Sequence, residues 1–207
     1  MSEARALFIA LEGIDGSGTS TQTRALAARL RERGHRVLET CEPSRGPIGR
    51  MIRERLSTRS APIDPAALAL LFAADRLDHL ANEIEPALAQ GIVVISDRYV
   101  LSSLVYQSIE CHGPWVREIN ARARWPDICA LVSLPSDTAV DRVTARQATD
   151  GGKKERYDKP DLQCRLAAGY QRAYESQEPG PIVRVDGALS IDAVTEDLLQ
   201  LCVNRGL

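Results

Sequence analysis

The stretch from residue 6 to residue 20, Ala-Leu-Phe-Ile-Ala-Leu-Glu-Gly-Ile-Asp-Gly-Ser-Gly-Thr-Ser, decides the fold of this 207-residue chain. Its continuous apolar run over 6–11 is typical of a strand that is buried on both faces. Residues 13–20 follow the pattern G-x-x-x-x-G-K-[S/T] except at the seventh position, where Thr19 replaces lysine. Helical periodicity follows over 21–33. This order predicts a phosphate-binding loop, because backbone N–H groups and the helix dipole both favour an anion.

The residues predicted to bind phosphate are those of the loop itself: Gly13, Ile14, Asp15, Gly16, Ser17, Gly18, Thr19 and Ser20. The glycines let the backbone close on phosphate oxygens, and the Ser20 hydroxyl is placed to reach Mg²⁺. The missing lysine would have supplied a positive charge to the transferring phosphoryl group. A glycine-rich turn is also a common connection that binds nothing, but the preceding strand and the following helix favour the phosphate loop.

The composition is that of one ordinary globular domain spanning 1–207, with 44% hydrophobic residues and a net charge of −2. Because there is no basic excess, we do not expect a nucleic-acid polymer as partner. We expect no membrane association either, since no apolar stretch approaches the length of a span. The five cysteines are scattered without a C-x-x-C pair, which favours a reducing compartment and a cytoplasmic protein.

Short apolar segments alternate with helical patterns along the chain. This alternation predicts a three-layer, doubly wound α/β domain with a parallel five-stranded sheet. Helix starts are indicated at Asp64-Pro65, Ser136-Asp137 and Ser190. The predicted strands are 6–11, 37–41, 92–96, 128–134 and 182–185. The predicted helices are 21–33, 47–57, 65–90, 101–109, 115–124, 137–147, 160–178 and 191–204.

Charged residues stand where predicted strands end, which is where such sheets bind ligands. Asp97 and Arg98 follow the third strand; the carboxylate suits Mg²⁺ and the guanidinium suits phosphate oxygens. An ordinary ion pair at a helix start is the alternative. Glu42 and Arg45 follow the second strand, so their loop brings a carboxylate and a guanidinium over the same crevice.

Two helices carry side chains suited to a nucleoside. Ser103, Tyr106 and Gln107 share one helical face, with Ser102 beside them, and these groups could read a base and a sugar. A solvated helix face is the more frequent case. On the long helix, Phe72 and Arg76 are four residues apart and form a pocket for a flat heterocycle, although Phe72 could equally belong to the core.

A basic, glycine-containing segment over about 147–159 is predicted to be a lid over the nucleotide. The cations in and before it are Arg142, Arg146, Lys153, Lys154, Arg156 and Lys159. A solvated flexible loop is the alternative, but phosphoryl transfer needs closure and charge compensation.

Together these motifs resemble the thymidylate kinase family over most of the chain. The resemblance rests on Phe8 to Gly18, Glu42-Pro43, Leu71 to Arg76, Asp97 to Gln107 and Glu155-Arg156-Tyr157. It implies a nucleoside monophosphate kinase of the P-loop type that uses ATP and Mg²⁺ to convert dTMP to dTDP for dTTP biosynthesis. It also implies a homodimer that packs long helices together.

The resemblance also implies roles for individual residues. Phe72 would stack on thymine and Arg76 would hydrogen-bond it, while Asp15 would meet the deoxyribose 3′-hydroxyl. Arg98 and Arg45 would hold the acceptor phosphate. Ser20 and Asp97 would bind the metal, and Arg142 would bind ATP. Arg146 and Arg156 would be catalytic arginines of the lid. The other residues that would contact dTMP are Glu42, Ser102, Ser103, Tyr106 and Gln107.

The chain departs from the family pattern at Thr19, at Ser133, and at Thr40 and Ser44-Arg45 around Glu42-Pro43. Without the loop lysine at position 19, the chain could turn over slowly or not at all. A cation of the lid that takes the place of the lysine would restore turnover. Two alternatives remain open. One is a related kinase that acts on another nucleotide or deoxynucleoside. The other is a catalytically impaired nucleotide-binding protein.

Overall fold

The computed structural model describes residues 6–57, 61–149 and 160–207. Its strands form one parallel sheet in the order β2-β3-β1-β4-β5, with helices on both faces. The three-layer parallel architecture predicted from the sequence is therefore confirmed. The strands are β1 (Phe8–Glu12), β2 (Val37–Cys41), β3 (Val93–Asp97), β4 (Ile128–Ser133) and β5 (Val183–Asp186).

The helices agree with the predicted segments, with two differences. The predicted helix 65–90 contains a π-helical turn, Leu80–Ile84, between two α-helices, and the predicted helix 115–124 ends early, at Ile119. A 3₁₀ turn, Gln107–Ile109, completes the predicted helix 101–109. The α-helices are α1 (Thr19–Glu32), α2 (Pro47–Leu56), α3 (Pro65–His79), α4 (Glu85–Ala89), α5 (Val100–Tyr106), α6 (Gly113–Ile119), α7 (Ser136–Thr149), α8 (Pro160–Ser176) and α9 (Ile191–Asn204).

Polar side chains at helix starts account for two of these boundaries. The Asp64 carboxylate accepts from the N–H groups of Ala66 and Ala67, and Ser190 accepts from the N–H of Ala193. Such caps satisfy backbone donors that the first turn leaves without an internal partner. Both caps were expected from the sequence.

Successive side chains of β1 belong to different hydrophobic clusters, because a strand points them alternately to its two faces. Ile9 and Leu11 belong to the cluster that contains Leu26 of α1 and Leu198 of α9. Phe8, in contrast, belongs to the cluster built around the π turn. The strand is therefore covered on both sides, which explains its unbroken apolar sequence.

The register of the sheet brings the ends of three strands together. Leu11 of β1 lies beside Asp97, the last residue of β3, and Asp97 lies beside Cys41, the last residue of β2. The loops that follow these strands therefore open at one edge of the sheet. Among the described residues, no helix is long and apolar enough to cross a membrane.

Candidate active site

The glycine loop between β1 and α1 has the backbone shape of an anion site. Gly16 and Gly18 adopt left-handed φ angles of 86° and 98°, which glycine tolerates best. Gly18 caps α1 without a side-chain hydrogen bond, so the first N–H groups of α1 remain available to an anion. Thr19 is the first residue of α1 and is largely buried.

A cleft of about 450 Å³ opens over this loop. All the predicted phosphate residues from Ile14 to Ser20 line it, and Gly13 lies beneath, with its carbonyl bonded to Arg98. Arg142 also lines the cleft and donates to the carbonyl of Gly187 at 3.2 Å. The cleft's other lining residues are Thr21, Gln22, Arg98, Val132, Gly187, Leu189, Ile191 and Val194.

Ser20 and Asp97, the predicted metal ligands, are in contact. The Ser20 hydroxyl donates to Oδ2 of Asp97. The other carboxylate oxygen, Oδ1, is buried and has no hydrogen-bond partner among the described residues. A hydroxyl and a carboxylate at a phosphate site suit Mg²⁺, which commonly keeps several waters and takes one or two protein carboxylates plus substrate phosphates. No cluster of three or more potential metal-binding side chains occurs in the described ranges, so any metal here would need such additional ligands.

Arg98 and Asp15 form an ion pair across the loop. Arg98 Nη2 donates to Asp15 Oδ1 at 2.6 Å, and Nη1 donates to the carbonyl of Gly13 at 2.5 Å. Asp15 Oδ2 additionally accepts from Gln163 of α8 at 3.1 Å and from Tyr106 at 3.4 Å. Asp15 and Arg98 are thus held by groups of the glycine loop, α5 and α8.

A second cleft, of about 120 Å³, lies on the other side of this ion pair. It is lined by most of the residues predicted to bind dTMP: Glu42, Phe72, Arg76, Arg98, Ser102, Ser103, Tyr106 and Gln107, together with Asp15, Pro43, Leu56 and Tyr99. Arg45 is not among its lining residues; it is exposed, and its carbonyl accepts from Arg50 at 3.1 Å. Asp15 and Arg98 therefore line both clefts.

Phe72 belongs to the wall of the second cleft. It is partly exposed there and belongs to none of the three hydrophobic clusters of the described residues. The four-residue spacing between Phe72 and Arg76 did not decide whether Phe72 belongs to the core or to a pocket. An aromatic ring that lines a small cleft favours the pocket.

Arg76 is only 1% exposed and belongs to a buried polar network. Its Nη2 donates to Glu42 at 2.6 Å and to Ser103 at 3.0 Å, and its Nη1 donates to the Asn120 side chain. Nε has no hydrogen-bond partner among the described residues. The ion pair with Glu42 compensates the buried charge and fixes the plane of the guanidinium, so that Nε remains as a donor.

Several residues that hold the site together were not predicted from the sequence. Asp75 accepts from the hydroxyl of Ser44 at 2.5 Å and from its N–H at 2.6 Å, which anchors the loop after β2. Asn120 and Gln163 contact the predicted residues from α6 and α8. Asp75 could have been assigned a role in the site because it directly precedes Arg76. Asn120 and Gln163 could not, because each is a single amide that belongs to no recognisable motif.

Part of the predicted lid lies outside the described residues. The backbone of α7 is described to Thr149, but the side chain of Arg146 and all of residues 150–159, including Arg156, are not. Their predicted roles at the phosphoryl group stay predictions. Among the described cations, Arg98 and Arg142 line the cleft over the glycine loop.

We expect Gly16→Ala to raise the dissociation constant for ATP at least about tenfold. A Cβ at Gly16 would lie 2.4 Å from the carbonyl oxygen of Ala139, and the left-handed φ adds strain. Gly34→Ala is the matched control, because Gly34 has a similar φ of 88° but no atom within 4 Å of an added Cβ. Calorimetric titration with ATP measures the effect; equal affinities for the two variants would contradict it.

Comparison with known proteins agrees with the geometry. The family model described as thymidylate kinase matches residues 11–198. The chain is 40% identical to the probable thymidylate kinase of Pyrococcus abyssi, covering 95% of this chain and 96% of that protein. It is 37% identical to the corresponding protein of Pyrococcus horikoshii (95% and 96% covered) and 40% identical to that of Thermococcus kodakarensis (82% and 84% covered). A match over almost the whole length places the chain in the thymidylate kinase family.

Proposed function

We propose that this protein transfers the γ-phosphoryl group of ATP to dTMP, giving dTDP and ADP. The observation that carries the proposal is that Asp15 and Arg98 line both clefts. A phosphate loop on one side and a base-sized cleft on the other would put a donor and an acceptor phosphate on either side of one guanidinium. In-line transfer between two bound nucleotides needs such an arrangement, because positioning and electrostatics supply most of the catalysis.

The second cleft offers hydrogen-bonding groups that suit thymine. Arg76 Nε is a buried donor and Gln107 Oε1 a buried acceptor, and neither has a partner within the described part of the chain. Thymine presents a carbonyl oxygen beside an N–H on its Watson–Crick edge, which complements this pair. Cytosine presents an amino group and a bare ring nitrogen there, which would leave both protein groups unpaired. Phe72 would stack on the ring.

Asp15 and Arg98 would act where the two clefts meet. The Asp15 carboxylate accepts hydrogen bonds only, so it suits the 3′-hydroxyl of the deoxyribose. Arg98 offers a planar fork to the acceptor phosphate and to the charge that develops during transfer. Tyr106 would lie against the sugar, and Ser102 supports Arg98 through a hydrogen bond at 3.3 Å. Arg45 would approach the acceptor phosphate from the loop after β2.

On the donor side, Ser20 and Asp97 would hold Mg²⁺, which, when bound, neutralises charge on the β- and γ-phosphates. The loop N–H groups would bind the phosphate oxygens, and Arg142 would lie against the nucleotide. Thr19 leaves the loop without its usual cation. Arg146 and Arg156 of the lid would supply that charge as catalytic residues.

A panel of acceptors tests the proposal. Release of ADP from ATP and Mg²⁺ would be followed with dTMP, dUMP, dCMP, dGMP and thymidine. We expect the highest kcat/KM with dTMP and an at least about hundredfold lower value with dCMP, because cytosine leaves the two buried groups unpaired. We expect a low value with dGMP as well, because its two-ring base is larger than thymine and the cleft measures only about 120 Å³. A preference for another acceptor would support a related kinase, and ATP binding without turnover on any acceptor would support an impaired nucleotide-binding protein.

We further propose a cytoplasmic homodimer in which α2 and α3 pack against the same helices of a second copy. Met51 of α2 and Leu70 and Leu77 of α3 are exposed, Leu70 to 50%. Leu70 and Leu77 are seven residues apart, so they share one face of the helix. An apolar face of this kind supports a self-complementary interface.

Leu70→Asp is expected to convert the dimer to a monomer, because a carboxylate at the centre of an apolar interface must lose its hydration. Analytical ultracentrifugation should give twice the chain mass of 22.7 kDa for the unmodified protein and a single chain mass for the variant. Val203→Asp, at an exposed apolar position of α9, is the control that should stay dimeric. A monomeric unmodified protein would refute the interface.

A further inference from the structure

Glu12, the last residue of β1, is a fully buried carboxylate with hydrogen-bond donors on both oxygens. Oε1 accepts from the N–H of Tyr99 at 2.9 Å. Oε2 accepts from the Ser102 hydroxyl at 2.6 Å and from the Tyr170 hydroxyl at 3.3 Å. Among the described residues, no arginine, lysine or histidine forms an ion pair with it. A buried charge without a direct partner is costly, so its contacts call for a functional reason.

The same two hydroxyls contact Arg98. Arg98 Nη1 donates to the Ser102 oxygen and to the Tyr170 oxygen, each at 3.3 Å, and the two hydroxyls lie 2.8 Å apart. Because Nη1 can only donate, both hydroxyl hydrogens are free to point toward Glu12 or toward each other. Glu12 is therefore the acceptor at the end of a hydrogen-bond chain that begins at Arg98.

The backbone connects Glu12 to Arg98 as well. Arg98 has a left-handed φ of 68°, which a residue with a side chain adopts at a cost in free energy. The next N–H along the chain is that of Tyr99, the one that Glu12 accepts. The carboxylate thus stabilises the backbone conformation of Arg98 and the direction of its guanidinium together.

We propose that Glu12 is a positioning residue, which holds Arg98 between the two clefts by binding Tyr99 N–H and by accepting from Ser102 and Tyr170. The inference rests on the proposed phosphoryl transfer and assigns to Glu12 the orientation of the guanidinium that would contact both phosphates. Asp15 alone does not fix Arg98, because it would also have to accept from the substrate hydroxyl. Glu12, which lines neither cleft, fixes the two hydroxyls that Nη1 contacts. Together with the Gly13 carbonyl, these hydroxyls keep the guanidinium in place when Asp15 is shared.

Glutamine at position 12 would break this arrangement without changing its shape. With the amide oxygen toward Tyr99, the amide NH₂ faces hydroxyls that already receive a bond from Arg98, so one buried hydroxyl hydrogen loses its acceptor. With the amide reversed, the N–H of Tyr99 loses its acceptor. Either orientation leaves one buried donor unpaired, which destabilises the arrangement.

Burial raises the pKa of Glu12, and the lowering effects of the Ser102 hydrogen bond and of Arg98 only partly oppose it. As pH falls, Glu12 therefore takes up a proton at a higher pH than an ordinary glutamate does, and the acceptor for the hydroxyl chain is lost. Activity of the unmodified protein should decline along this acid limb, whereas Glu12→Gln should lack it. The other charged or titratable groups near the carboxylate are Arg76, Cys129, Tyr106, Tyr170 and Arg98.

A double-mutant cycle tests the proposal. Glu12→Gln should lower kcat with dTMP about tenfold to hundredfold, while the dissociation constant for ATP changes less than about threefold. Glu196→Gln, an exposed residue of α9, is the control and should match the unmodified protein. In an Arg98→Lys background, Glu12→Gln should cost less than about threefold, because lysine has no fork to orient. Full additivity, or no loss in the single variant, would overturn the proposal.

Tyr170→Phe keeps the proposal testable if Glu12→Gln does not fold. Phenylalanine retains the edge-to-face contact of this ring with Tyr106 and removes only the hydroxyl. We expect kcat to fall several-fold, whereas Tyr174→Phe on the same helix should leave it unchanged. An unchanged kcat in Tyr170→Phe would count against the hydroxyl chain. Absence of turnover in the unmodified protein would instead refute the proposed function, so the two failures are distinguishable.

Discussion

Arg98→Ala is expected to lower kcat/KM for dTMP about a thousandfold, the largest loss among single substitutions in the described part of the site. Two unit charges about 4 Å apart interact by roughly 4 kcal/mol at an effective dielectric constant of about 20. Loss of that interaction from the transition state corresponds to roughly three orders of magnitude in rate. The variant also leaves Asp15, which pairs with Arg98 at 2.6 Å, without its cation.

Two further variants serve as comparisons for Arg98→Ala. Arg98→Lys keeps the charge but loses the planar fork, so it should retain more activity than alanine and less than arginine. Arg29→Ala removes an exposed guanidinium from α1 and should have no effect. Steady-state kinetics in ATP and dTMP separate the cases. A kcat/KM for Arg98→Ala within about tenfold of the unmodified protein would show that the guanidinium does not contact the transferring group.

The second large effect is expected from the cations in and before the segment that is predicted to be a lid. If a lid cation replaces the missing loop lysine, alanine at Arg146 or Arg156 should lower kcat about a hundredfold to a thousandfold, by the same charge argument. Thr19→Lys should then restore much of the loss, because lysine at the first position of α1 returns a cation to the phosphate loop. In the unmodified background, Thr19→Lys should change kcat less than about tenfold, since the charge is already supplied.

The lid experiment separates relocation of the charge from its loss. If Thr19→Lys alone raises kcat by several orders of magnitude, the chain is an enzyme slowed by the substitution and the relocation hypothesis is wrong. The relocation hypothesis is also wrong if alanine at each of the four candidate cations, Arg146, Lys153, Lys154 and Arg156, leaves kcat nearly unchanged. Lys153 and Lys154 would be tested next in the same two backgrounds, and Arg55→Ala, an exposed cation of α2, serves as the control.

Much of the fold could be predicted from the sequence because local signals agreed with the tertiary structure. The apolar run over 6–11 has no polar face, which is typical of a strand covered on both sides. Asp64 and Ser190 cap their helices as expected, because capping depends on neighbours two and three residues away. The π turn at Leu80–Ile84 was not predictable, because the residue types in this five-residue segment are equally compatible with an α-helix.

The site could be predicted where charged side chains directly follow a strand in the sequence. Asp97 and Arg98 stand at the end of β3, and the position of β3 beside β1 brings them to the loop. Glu12 and Tyr170 were not assigned a role, because they are 158 positions apart and only the packing of α8 on the sheet brings them together. Phe72 could not be assigned by spacing, since an aromatic side chain on a helix suits a core and a pocket equally well.

A ³¹P NMR time course of the purified protein with ATP, dTMP and Mg²⁺ tests the proposed phosphoryl transfer directly. We predict that dTDP and ADP appear at the same rate and in equal amounts, as a transfer between the two clefts requires. Formation of ADP and free phosphate without dTDP would mean that water, rather than dTMP, receives the phosphoryl group. Unchanged ATP in the presence of bound dTMP would mean that the chain binds nucleotides without catalysing transfer. Either result would contradict the proposed transfer from ATP to dTMP.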